Sequence, residues 1–102
     1  MKAYKVVFTR AADTDFDEII DYIAQDNPTR AITFVDELRD VAINTRSVFP
    51  KAGSSIRELG AYFHVHKNYV IVYDIDEDEH CVIVHMISHG ARQWRSVFAA
   101  RL

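Results

Sequence analysis

Apolar and polar positions change period along this chain of 102 residues. Residues 3–8, AYKVVF, alternate, with Tyr4, Val6 and Phe8 on one side, which predicts a short strand. The period then lengthens, and Ala12, Phe16, Ile19, Ile20 and Ile23 fall on one helical stripe. Thr9 stands where an N-cap hydroxyl is wanted, and the acids after it suit the positive end of a helix dipole. Asp13, Asp17 and Asp21 lie off the stripe and read as a solvated face. Asn27-Pro28 ends this helix and opens the next, because proline breaks a helix interior but suits its first position. Ala31, Phe34, Val35, Leu38, Val41, Ala42 and Thr45 mark that second helix, which should end near Phe49-Pro50. Two striped helices with so short a joint fold back as an antiparallel hairpin.

Residues 50–55, PKAGSS, read as a loop. Beyond it IRELG, AYFHVHK, YVIVYDI and HCVIVHMIS are all strand-like, and Asp76-Glu77-Asp78-Glu79 is a polar turn between the last two. A short helix is expected from about Ala91. The order β-α-α-β-β-β with that closing helix predicts an α+β fold, a helical hairpin packed on a mostly antiparallel sheet. At this length residues 1–102 form a single domain.

Composition narrows the class. About half the residues are apolar (49%) and a quarter charged (26%), enough for a packed core without staples. Cys81 is the lone cysteine, so an intrachain disulfide is excluded and a reducing compartment fits. Neither a signal peptide nor a run of ~20 apolar residues is present, so a soluble, cytoplasmic protein without membrane partners is expected. A net charge of −3 argues against broad coating of nucleic acid. The charge is uneven, however. Residues 10–26 hold Asp13, Asp15, Asp17, Glu18, Asp21 and Asp26 against Arg10, whereas no acid follows Glu79 and Arg92, Arg95 and Arg101 do. A locally positive C-terminal surface follows.

The segment His89-Gly90-Ala91-Arg92-Gln93-Trp94-Arg95 joins a titratable ring, cations and an aromatic just past a strand end. His89 could move a proton with Arg92 steadying an anion, or could simply bond backbone at the junction. On a helix from Ala91, Trp94 and Phe98 share the side that docks on the sheet, which leaves Arg92 and Arg101 pointing outward. Trp94 could instead be presented to a partner if that helix lifts away. His85 falls on the Ile83/Ile87 face of the last strand and reads as half-buried. His64 and His66 stand two apart, but a structural zinc site needs four ligands and no Cys/His pair accompanies them, so no metal is expected. No phosphate loop or nucleophile elbow is present, and no cofactor is called for.

Taken together, the Phe8-Thr9 strand end, Ile19-Ile20-Asp21-Tyr22-Ile23-Ala24, Asn27-Pro28, the Pro50-to-Gly53 loop, the Tyr69 and Tyr73 strand and the closing His89-Gly90-Ala91-Arg92 occur in a recognisable order. From Tyr4 to Trp94 the chain resembles the RelE/ParE superfamily of bacterial type II toxin–antitoxin toxins, and most closely its ParE-like branch. That resemblance implies a growth-inhibiting toxin associated with plasmid stabilisation. It implies a ParD-like antitoxin of ribbon-helix-helix type, wrapping helices 10–25 and 29–48 and the sheet, with operator DNA reached only through the antitoxin. For a ParE-like member it implies DNA gyrase as the target and Arg92, Trp94, Arg95 and Arg101 as contact residues.

The other branch cuts messenger RNA on the ribosome, and would here use His89, Arg92, Lys67 and Arg57. RelE-like nucleases commonly carry an arginine in the penultimate strand, where this chain has Val70. Valine offers neither charge nor hydrogen bond, and the acidic balance disfavours docking into ribosomal RNA. The reading is therefore a non-enzymatic gyrase poison, with the ribonuclease and an inactive relic that keeps only antitoxin binding as alternatives.

Overall fold

The computed structural model describes residues 3–46 and 53–101. The chain runs β1 (Lys5–Phe8), α1 (Arg10–Ala24), α2 (Pro28–Arg46), β2 (Ser54–Ile56), a 3-10 turn (Arg57–Leu59), β3 (Ala61–His66), β4 (Tyr69–Asp76), β5 (Cys81–His89) and α3 (Trp94–Arg101). The five strands form one sheet in the order β1-β5-β4-β3-β2. Only the β1–β5 pair is parallel. The expected α+β architecture is the observed one.

Local chemistry sets the helix starts. The Thr9 hydroxyl accepts the Ala12 N–H at 3.1 Å, which satisfies one of the orphan donors at the start of α1. Asn27 does the same for α2, its Oδ1 accepting the Arg30 N–H at 3.0 Å beside Pro28 at the first helical position. The expected end of α2 near Phe49-Pro50 lies outside the described residues.

Both faces of the sheet are covered. On one, Ala12, Phe16 and Ile19 of α1 and Phe34, Val35 and Leu38 of α2 bury Tyr69, Ile71, Tyr73, Val82 and Val84. On the other, Trp94 and Phe98 of α3 close over Ile56, Ala61, Val70, Val72 and Met86. β4 is thus apolar on both sides, which is why YVIVY runs without polar alternation. Gly53 sits under this sheet because a Cβ there would collide with the Tyr73 hydroxyl and the Phe63 carbonyl.

Four expectations are corrected. Ser54 and Ser55, read as loop, form β2 by pairing with Phe63 and Tyr62. In IRELG only Ile56 is strand, and Arg57–Leu59 turn as a 3-10 segment closed by Gly60 at φ 62°. α3 begins at Trp94 and not at Ala91, because the His89 carbonyl accepts the Arg92 N–H and His89 Nδ1 accepts the Ala91 N–H, which makes a turn first.

The fourth concerns His85. The register slips between Val72 and Tyr73: Val72 faces Met86 and Tyr73 faces Val84, so His85 is an extra residue on β5. A bulge inverts the alternation beyond it. Ile87 therefore joins Val82 and Val84 on the hairpin side, while the His85 ring stands 5.9 Å from that of Phe98. His85 is half-buried, but not on the Ile87 face.

Phe98 is the most deeply buried apolar anchor of α3. Phe98→Ala should cost about 3–5 kcal/mol through the lost contacts and the cavity left behind. Chemical denaturation of the two proteins measures this; a loss below about 1 kcal/mol would mean that α3 is not packed as described.

Candidate functional site

Beyond Phe8, β1 stops pairing, and β5 runs on from His85 to His89 with no strand on that side among the described residues. The exposed edge is closed by side chains. Asp15 of α1, only 7% exposed, accepts the Ile87 N–H at 3.0 Å through Oδ2. Its carboxylate is in turn held by Arg101, whose Nη1 and Nη2 lie 2.9 and 2.8 Å from Oδ2 and Oδ1. Arg101 Nη1 also donates to the His85 carbonyl at 3.1 Å. This two-pronged pair joins α1, the bulge in β5 and the last described residue of α3. The Asp15 hydrogen bonds hold the Arg101 pKa above its ordinary value, against the opposing effect of burial. Arg101, expected to point outward, is turned inward. In the sequence Asp15 is one of six acids in residues 10–26, yet it sits three residues after Ala12 and four before Ile19, on the apolar stripe. A carboxylate on the buried stripe was the available signal.

A second carboxylate organises the β3–β4 turn, at the same end of the sheet. Glu37 of α2 meets His66 Nε2 at 2.7 Å, Lys67 Nζ at 2.9 Å and Arg30 Nη2 at 3.8 Å. The Lys67 and His66 hydrogen bonds, with their charges, hold the Glu37 pKa down to about 2 against a slight opposing desolvation. Lys67 occupies the left-handed region at φ 55°, a conformation costly for a residue with a Cβ, in the two-residue turn between β3 and β4. Its ammonium is drawn to α2 by Glu37.

The remaining candidates are spread over the C-terminal face. The His89 ring packs edge-on to Tyr69, 5.3 Å away. Among the described residues no side chain pairs with the Arg92 guanidinium, which stands on the turn before α3. Trp94 is 8% exposed and lies 5.0 Å from Phe63, so it belongs to the core under α3. Arg95 covers the Trp94 and Phe63 rings at 4.8 and 5.3 Å. Arg57 stands on the 3-10 turn after β2, at the far edge of the sheet. Val70, in the place of the sheet arginine, is 3% exposed and packed with Met86, Trp94 and Phe98.

Two grooves border His89. One, of about 380 Å³, runs between Phe63, Val65 and Lys67 on one side and Gly90, Ala91 and Trp94 on the other. The larger, of about 610 Å³, lies between α1 and the ends of β4 and β5. Its walls carry Ile19, Tyr22, Tyr69 and Ile87, with Glu18 on one rim and Arg92 on the other. Tyr22 is 70% exposed there, while Ile32 of α2 and Val65 of β3 are exposed elsewhere. Large apolar side chains left in water beside a groove mark a surface built to be covered. Among the described residues no set of three or more His, Cys, Asp or Glu side chains could hold a metal ion, and no helix is long and apolar enough to cross a membrane.

Comparison with known proteins places this geometry. A family model for the ParE toxin of the type II toxin–antitoxin system parDE matches residues 6–94. Among solved structures, the chain is similar to the RelBE2 toxin–antitoxin complex of Mycobacterium tuberculosis (TM-score 0.70, 24% identity, 90% of this chain and 97% of that one). It is similar to the chromosomal ParDE system of P. aeruginosa (TM-score 0.71, 16% identity, 85% and 96%). It also resembles the isolated E. coli RelE toxin (TM-score 0.56, 17% identity, 97% of both). At these identities the structures speak for the fold alone. Among curated proteins nothing matches the chain.

Two predictions follow from the carboxylates. Arg101→Met strands a buried charge and should destabilise by about 3 kcal/mol, whereas Asp15→Asn combined with Arg101→Met should cost clearly less than the sum of those two single changes. Thermal or denaturant unfolding of the three variants checks this, and simple additivity would show that the pair is not coupled. For Glu37, a carboxyl that binds its proton less well when folded stabilises above its unfolded pKa. That stability is intact above 4.5 and is lost as pH falls toward about 2. Glu37→Gln should flatten the acid limb of the stability–pH curve across that window.

Proposed function

The chain belongs to the ParE toxin family of type II toxin–antitoxin systems, and from that premise we propose that it is a non-enzymatic toxin that inhibits DNA gyrase and is held silent by a ParD-like antitoxin. The observation that carries the choice of target is Val70. It stands at the position of the arginine that RelE-like nucleases commonly carry, and it is packed under Trp94 and Phe98 rather than facing a substrate. Phosphodiester cleavage needs a base, an acid and cations gathered on the developing phosphorane charge. Of the cations that could stand in for the missing one, Lys67 is paired with Glu37 and Arg57 stands at the far edge of the sheet. His89 and Arg92 are neighbours, but a lone pair of this kind supplies positioning without the full set of charges.

The same geometry supports contact roles instead. Among the described residues no side chain pairs with the Arg92 guanidinium on the turn before α3, and Arg95 lies outward over the Trp94 ring. Both groups suit a protein interface, where arginine over an aromatic is a common anchor. Trp94 supports this surface from beneath, and Arg101 fixes the helix to the sheet edge. The exposed Tyr22 and the groove beside it suit the antitoxin, through apolar anchoring with charge pairs at the rim.

Expression of the toxin induced without its antitoxin tests the assignment. The expected result is growth arrest with an SOS response and stabilised gyrase–DNA cleavage complexes, and a marked loss of both for Arg92→Glu. Rapid cleavage of translated messages would overturn the gyrase assignment in favour of the ribonuclease, and the absence of any growth effect would leave only an antitoxin-binding relic.

A further inference from the structure

The smaller groove beside His89 lies on the α3 face of the sheet, where α3 leaves the end of β3 uncovered. Cross-strand partners share a face, and Phe63 and Val65 of β3 pair with Val72 and Val70 of β4. Those two valines pack under Trp94 and Phe98, so Phe63 and Val65 face the same way. α3 covers Phe63, whose ring lies 5.0 Å from that of Trp94, but the helix starts only at Trp94. Before it the chain is still in the turn from His89 to Arg92, and Val65 is left 54% exposed. A lone exposed valine is ordinary. This one stands on the wall of a groove, with Val70 at the base and Gly90 and Ala91 opposite.

The groove carries charge of one sign. Among the described residues that line it none is acidic. Its own lysine, Lys67, is drawn away to Glu37. Arg95 is not drawn away: it rests on the Trp94 and Phe63 rings at the border, and among the described residues no carboxylate pairs with it. The chemistry that meets both features is an apolar side chain next to a carboxylate, one for the groove and the other for the guanidinium. A nucleobase fits less well. Base stacking needs an open ring face, whereas Trp94 is buried and Arg95 already covers it.

We propose that this groove is where the toxin grips its target protein, taking an aliphatic side chain between Val65 and Ala91 and a neighbouring carboxylate on Arg95. This rests on the gyrase reading above and deepens it by naming the groove, the apolar anchor and the chemistry of the segment that enters. Val65 faces away from α1 and α2, so the grip leaves the helical hairpin free.

The affinity of the full-length toxin for a purified gyrase–DNA complex, measured by biolayer interferometry for wild type, Val65→Glu and Val65→Lys, tests this. Both changes remove the same apolar contact at an exposed position, but lysine keeps the sign of charge that the partner meets. Val65→Glu should weaken binding by at least about tenfold, and Val65→Lys by clearly less. Ala91→Glu, exposed on the opposite wall, should repeat the loss with β3 untouched, so that a folding defect of one strand cannot mimic it. Equal losses for glutamate and lysine overturn the acidic partner, and full affinity in both glutamate variants overturns the groove; either leaves the gyrase reading standing. Val65-dependent binding of a single-stranded RNA oligonucleotide, or of a second toxin molecule, in place of gyrase assigns the groove to that occupant and overturns the proposal. A wild-type toxin that does not bind gyrase at all overturns both.

Discussion

A single buried carboxylate holds three layers of this protein in register. The bulge at His85 shifts β5 so that the Ile87 N–H points off the sheet just where β1 has ended. A buried donor left without a partner costs about 1–3 kcal/mol, so something must reach it. Asp15 does, from α1, and thereby places a charge in the interior. That charge requires a cation, and Arg101 supplies it from the end of α3. Each step creates the need that the next one meets. The consequence is that the hairpin on one face and the terminal helix on the other are fastened at the same point of the same strand.

Two carboxylates organise one end of the sheet alike. Asp15 is the hub on the β5 edge, and on the β3–β4 turn Glu37 gathers Lys67, His66 and the more distant Arg30 and so ties α2 to that turn. Both hubs remove cations that would otherwise be free to meet a phosphate. Arg92 is the cation that neither hub claims, and Arg95 is committed only to aromatic faces. A protein of negative net charge thus keeps a small positive outer surface beside α3 and spends its other C-terminal arginine on architecture. Such an arrangement suits selective contact with a protein better than adhesion to a polyanion.

The surfaces left for partners are separate. The core under α3 is filled by Trp94 and Phe98, so that face meets others through what stands above it. The groove beside α1 is different: it has apolar walls and an exposed tyrosine. One surface presents charge on a rigid support and the other presents an apolar groove. A toxin that must meet both a target and an inhibitor is served by having the two within reach of one turn, at His89 to Arg92.

Much of this was legible in the one-dimensional pattern. The strand at Lys5–Phe8, the Thr9 cap of α1, the start of α2 at Asn27-Pro28 and the strand at YVIVYDI follow from local periodicity and capping, which depend on near neighbours in the chain. The docking of Trp94 and Phe98 follows from their spacing, and the absence of a sheet arginine from Val70 itself. Tertiary structure alone decided the rest. The short pairing of Ser54 and Ser55, the face on which His85 lies, the inward turn of Arg101 and the withdrawal of Lys67 to Glu37 all depend on partners 7 to 86 positions away. A bulge leaves no mark in composition, yet it reverses every side chain beyond it. A charge on an apolar stripe looks like an error until the chain returns, many residues later, with the donor and the cation that it answers.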